Sequence, residues 1–104
     1  MIRVIIEREI AEGLEEFYEA AVVNLLGVLS SAPGYLSGDS LVDMQRPNHY
    51  VVVTRWVDAD SWSRWFVSNE RQTVLDAIRP FLVNNEEKVT MLRQLDLQQH
   101  ARAV

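Results

Sequence analysis

Residues 50–66 read YVVVTRWVDADSWSRWF, and within them the spacing of apolar side chains changes from that of a strand to that of a helix. Tyr50 to Val57 is a near-continuous β-branched and aromatic run, the pattern of a strand buried on both faces. Asp58-Ala59-Asp60-Ser61 then offers helix N-caps, and Trp62, Trp65 and Phe66 follow at i, i+3 and i+4, on one helical face. The flanking chain can be read outward from this junction.

Upstream, Gln45 to His49 forms a turn, with Asn48 and His49 in turn roles. Before it, Tyr35 to Met44 is a strand whose internal Gly38 marks a bulge or a close backbone approach. Two strands joined by about five turn residues make an antiparallel hairpin. Ser30 to Gly34, with Pro33, stops a helix that begins near Leu14 and carries the stripe Leu14, Phe17, Tyr18, Ala21, Leu25, Val28 and Leu29. Glu12, Glu15, Glu16 and Glu19 crowd its N-terminal half, where the helix dipole favours negative charge. Ile2 to Glu9 is the first strand.

Downstream, Ser68-Asn69 starts a second helix after a bend, with Val74, Leu75 and Ile78 as its stripe. The helix ends near Arg79, before Pro80. Asn84-Asn85 is a turn, Lys88 to Leu95 is the last strand, and the polar tail from Gln98 is expected to fray. The order β-α-β-β-α-β is the ferredoxin-like pattern of the α+β class, one antiparallel sheet with helices on one face. One domain over residues 2–96 and a tail over 97–104 follow from it. Because the first and third strands look apolar on both faces, a second copy is the expected cover for the open face, giving a homodimer.

The 104 residues include 10 basic and 15 acidic side chains, a net charge of −5. Nucleic acid and anionic membranes, which need a basic footprint, are therefore poor partners. The absence of cysteine excludes a thiolate nucleophile, a disulfide and cysteine-ligated metal. Two histidines, His49 and His100, argue against a multi-histidine metal centre. Neither a signal peptide's pattern nor a run of about 20 apolar residues is present, so a cytoplasmic location is expected. No glycine-rich dinucleotide or phosphate loop appears, so no resident cofactor is expected.

Four segments in this order, VIIERE (4–9), PGYLSG (33–38), YVVVTRW (50–56) and SWSRWFVSNERQ (61–72), resemble the antibiotic biosynthesis monooxygenase family of dimeric α+β barrels. The family includes quinol monooxygenases and haem-degrading monooxygenases. The resemblance covers about residues 2 to 95. It implies a pocket between sheet and helices in each subunit and, as a function, cofactor-independent oxidation of a small aromatic or quinol-like substrate by dioxygen. A non-catalytic dimeric protein that binds or senses a small ligand is the alternative on the same fold. Trp65 matches the pocket tryptophan of the haem-degrading members, and Glu7 falls where those have a first-strand asparagine. Their iron-ligating histidine corresponds here to Leu75, which argues against haem degradation. The expected site is an aromatic wall of Trp62, Trp65 and Phe66 with Glu7 as catalytic base at its polar end and Arg55 as a further substrate contact. Arg55 and Trp56 must point to opposite faces of their strand.

Overall fold

A computed structural model describes residues 1–95. The fraying expected from Gln98, His100 and the tail boundary at residue 97 all lie outside the described residues. Strands β1 (Ile2–Glu9), β2 (Tyr35–Val42), β3 (His49–Trp56) and β4 (Lys88–Arg93) form one antiparallel sheet in the order β2-β3-β1-β4. Helix α1 (Glu15–Leu29) joins β1 to β2, and α2 (Ala59–Phe66) and α3 (Asn69–Asp76) lie between β3 and β4. Two short 3-10 turns, Arg79–Phe81 and Val83–Asn85, complete that connection.

The register decides which side chains can meet. Val4 pairs with Thr54 and Ile6 with Val52, so the even-numbered residues of β1 and β3 share one face. Val4, Ile6, Tyr50, Val52, Thr54 and Trp56 are all buried there, beneath Tyr18, Val22, Leu25 and Leu29 of α1 and Trp62, Trp65, Val74 and Leu75 of α2 and α3. Each such side chain contributes about 1.5–3 kcal/mol by leaving water. The odd-numbered residues Ile5, Val51 and Val53 face away from the helices and are half-buried. Within this chain β3 therefore alternates, and the double burial read from its apolar run is not met by the chain's own helices.

The structure corrects the α1 stripe and decides between the two alternatives open for Gly38. Val22, not Phe17, carries the buried stripe of α1, and Phe17 is 62% exposed, its ring stacked on Phe81. The β2 irregularity falls at Leu36, between Tyr35 and Ser37. Gly38 provides the close approach, since a Cβ there would lie 2.5 Å from the Tyr35 hydroxyl.

Both short helices carry side-chain caps. The Asp58 carboxylate accepts from the Ser61 amide at 2.8 Å, and its bonds with Ser61 hold its pKa below the ordinary value. The Ser68 hydroxyl accepts from the Arg71 amide at 3.1 Å. Gly34 seats the start of α2: its φ is +86°, and a Cβ there would come within 2.2 Å of Ser61 Oγ. Gly34→Ala is therefore expected to cost about 2 kcal/mol or more, from left-handed backbone strain together with the clash. A urea melt that leaves the variant as stable as the parent would contradict this packing.

Candidate functional site

Ser61, Arg64, Trp65 and Ser68 recur at helical spacing, so one face of α2 and its cap turns toward the C-terminal end of α1. With Val28, Ala32, Pro33 and Glu70 they line a cavity of about 570 Å³, within the range of small-molecule sites. Trp65 and Ser61 are buried, whereas Arg64 and Glu70 are exposed. Arg64 Nη2 donates to Ser61 Oγ at 3.3 Å, and Ser68 Oγ donates to the Trp65 carbonyl at 2.7 Å. The arrangement is a largely apolar cleft beside an indole, with one guanidinium and one carboxylate among its walls.

A second cavity, of about 280 Å³, lies beside β4 and is lined by Phe66, Leu75, Leu82, Val89, Arg79 and Glu87, among others. Near it sits a buried polar cluster. Arg8, on the helix-facing side of β1 and 2% exposed, donates to Glu87 through Nε at 2.8 Å and to the Tyr18 hydroxyl at 3.0 Å. Arg71 reaches the other Glu87 oxygen at 2.9 Å and lies 4.7 Å from the centre of the Phe66 ring. Burial alone would raise the Glu87 pKa, but the two guanidiniums outweigh it and hold the carboxyl below its ordinary value. Asn84 and Asn85 both take positive φ just before Glu87, completing the bend that leads into β4.

Composition and periodicity do not reveal this cluster, because charged residues are seldom buried. The available signal was parity: Arg8 stands two residues from Ile6 and from Ile10, on the same face. Tyr18 and Tyr50 are structural, their rings 4.8 Å apart. Burial and a 2.9 Å bond to Glu19 push the Tyr50 phenol up to about 12.

Trp62, Trp65 and Phe66 all stand on α2, as expected, but they serve different surroundings. Trp62 packs between Trp56 and Phe66, Trp65 lines the larger cavity, and Phe66 lines the smaller one. Glu7 and Arg55 are not brought to them. Both are odd-numbered strand residues, so the pleat turns them to the face of the sheet without helices, and the expected pairing of Glu7 with the aromatic wall is not assembled within the chain.

On that open face Glu7 lies 3.2 Å from His49 and 3.7 Å from Lys88. His49 opens β3 and bridges Glu7 to Asp43, its other ring nitrogen 3.1 Å from the Asp43 carboxylate, which this bond holds below its ordinary pKa. Arg55 lies beside Arg3, its Nη2 3.0 Å from Met1 Sδ. Leu75 is buried at the smaller cavity, and a hydrocarbon side chain offers iron no lone pair. Among the described residues no cluster of histidine and carboxylate side chains could hold a metal ion, and no helix is long and apolar enough to cross a membrane.

A family model described as antibiotic biosynthesis monooxygenase matches residues 1–77. No curated protein matches the chain by sequence. Among solved structures, the chain is similar to an antibiotic biosynthesis monooxygenase at 18% identity and a TM-score of 0.79, over 91% of this chain and 99% of the other. It is also similar to SnoaB, a cofactor-independent oxygenase from Streptomyces nogalater, at 16% identity and a TM-score of 0.77, over 91% and 94% of the two chains. A conserved protein from Methanosarcina mazei Go1 matches at 14% identity and a TM-score of 0.81, over 90% and 92%. At these identities the likeness is one of fold.

Proposed function

The chain belongs to the antibiotic biosynthesis monooxygenase family, and from that premise we propose that it is a cytoplasmic, homodimeric, cofactor-independent monooxygenase that oxidises a small electron-rich aromatic in the Trp65 cavity. The observation that carries this reading is the cavity itself: about 570 Å³, mostly apolar, bounded by a buried indole and holding a single carboxylate, Glu70. A flat substrate stacks on Trp65. Glu70, rather than Glu7, takes the proton from a ring hydroxyl or an acidic ring C–H.

The resulting anion gives one electron to dioxygen, the substrate radical and superoxide combine at carbon to a peroxide anion, and Glu70 returns its proton to give the hydroperoxide. Loss of water leaves a carbonyl. A ring CH₂, or the ring CH of a phenol counted in its keto form, thereby becomes C=O, one oxygen atom enters the product and the other leaves as water, and the substrate supplies all four electrons. The similarity to SnoaB supports a reaction of this type. Oxygen-electrode traces with a panel of hydroquinones and anthrones test it: uptake that saturates with one class is expected, and a rate no greater than the uncatalysed one throughout would contradict it.

One feature favours the non-catalytic alternative. Two of the serines lining the cavity, Ser61 and Ser68, are already engaged, with Arg64 and with the Trp65 carbonyl. Saturable ligand binding without oxygen uptake would select that alternative.

The open sheet face supports the dimer. Ile5, Val51 and Val53 form an apolar strip along it, with Leu41 and Leu92 exposed beside them and Asp39 opposite Val53 on the edge strand. Arg3 and Arg55 stand at one end, and Glu7, Glu9 and Asp43, which outnumber the Lys88 beside them, at the other. A second copy laid across with strands antiparallel sets basic ends over acidic ones. Sedimentation at micromolar concentration should give a dimer, and a monomer would overturn this part of the proposal.

A further inference from the structure

We propose that the Trp65 cavity selects aromatic ligands carrying one negatively charged oxygen, and that Arg64 makes the selection. The inference rests on the cavity assigned above but concerns binding, not turnover. Arg64 is the sole cation among the residues lining that cavity. Other arginines on the helix side of the sheet are already engaged: Arg8 and Arg71 share Glu87, and Arg79 pairs with Asp76. Among the described residues Arg64 has no carboxylate at salt-bridge distance; its side-chain partner is the neutral Ser61 hydroxyl. That bond uses one of five N–H donors and leaves most of the guanidinium edge for a ligand.

The direction of that edge is fixed by what surrounds Ser61. This serine is buried, its amide is tied to Asp58, and Gly34 packs so closely against its hydroxyl that even a methyl group would not fit. The anchor of Arg64 therefore has little freedom to shift. A ring stacked on Trp65 can turn an oxygen substituent toward a cation held in this way, and a charge-assisted bond rewards an anionic oxygen over a neutral one. Glu70 limits the total charge. It repels a second anionic group but accepts from a hydroxyl, so a singly charged hydroxyaromatic fits better than a dianion.

The anionic oxygen could belong to a carboxylate or to a phenolate, and matched probes separate the two. Quenching of tryptophan fluorescence would be followed on titration with a naphthoate, with the isosteric neutral naphthamide, and with a naphthol on either side of its ionisation. The wild-type protein is expected to bind naphthoate about tenfold more tightly than naphthamide, the scale of a charge-assisted bond at a solvated site. Arg64→Gln should erase that ratio by weakening naphthoate about tenfold while leaving naphthamide within about twofold, a pattern that general damage to the fold would not produce. Tightening of naphthol on ionisation identifies phenolate as a second accepted form, and its absence confines the preference to carboxylates.

Equal binding of naphthoate and naphthamide, or a preference that survives in Arg64→Gln, overturns the inference. If naphthamide binds equally well and oxygen uptake on a hydroquinone persists, the proposed activity stands while the selection by Arg64 falls. If none of the probes binds, the cavity assignment falls, and the inference with it.

Discussion

Glu87→Ala is expected to lower the stability of the protein by about 3–5 kcal/mol, the cost of leaving buried charges without their partner. Glu87 joins Arg8 on β1 to Arg71 on α3, and both guanidiniums are buried on the helix side of the sheet. Removing the carboxylate strands two cations at once, and no other carboxylate among the described residues lies within salt-bridge distance of either. Some water reaches Glu87, whose side chain is 13% exposed, so the lower part of that range is expected. For a domain of this size it corresponds to a fall in melting temperature on the order of 15–25 °C.

Glu87→Gln should be milder, since an amide oxygen can still accept one of the bonds. It should also change the response to acid. The folded-state pKa of Glu87 is lowered, so its contribution is fully present above the unfolded carboxylate value of about 4.3 and is lost as the pH falls through the folded value. The stability gap between the parent and Glu87→Gln should therefore be widest near neutrality and narrow below about pH 4. Chemical denaturation at several pH values reads this directly. A gap independent of pH would mean that the ion pairs contribute nothing.

Trp65→Ala is expected to weaken binding of the proposed aromatic substrate by roughly a hundredfold, about 2–3 kcal/mol, through loss of the buried ring face and its stacking. Oxygen uptake at low substrate should fall in proportion. The indole is also part of the core, so the substitution lowers stability as well. Trp65→Phe separates the two effects: it keeps an aromatic wall and should recover most of the binding. Binding by Trp65→Ala as tight as that of the parent, in protein shown to be folded by circular dichroism, would remove this cavity from consideration.

Much of the fold was legible because the sequence changes period where the structure changes element. The step at Val57 and Asp58, the stop at Pro33-Gly34 and the second start at Ser68 all fall where hydrogen bonding places them. Strand residues were harder to assign to a face. Ile2 to Ile6 and Tyr50 to Val57 carry apolar side chains at odd and even positions alike, so composition did not reveal which parity meets the helices. Nothing in the sequence therefore separates Glu7 and Arg55 from Trp62, Trp65 and Phe66, as the pleat does.

The Glu87 pairing was out of reach for another reason. Its partners lie 79 and 16 residues away, joined across a turn of two left-handed asparagines that propensity identifies but cannot orient. Trp65 was legible as a candidate because it stands on the amphipathic face of α2. Arg64 and Glu70 were not, since an exposed charge next to a core residue looks like any solvated position until the 31–33 turn is placed across the cavity from it.

The most direct test of the proposed activity follows the oxygen atoms. Turnover of an accepted substrate under heavy-isotope dioxygen in ordinary water, analysed by mass spectrometry, should place one labelled atom in the product carbonyl and the other in water. The complementary experiment, heavy-isotope water under ordinary dioxygen, should leave the product unlabelled once exchange of the carbonyl is controlled. Product formed without label from dioxygen, or with its new oxygen drawn from water, would contradict monooxygenation by this protein.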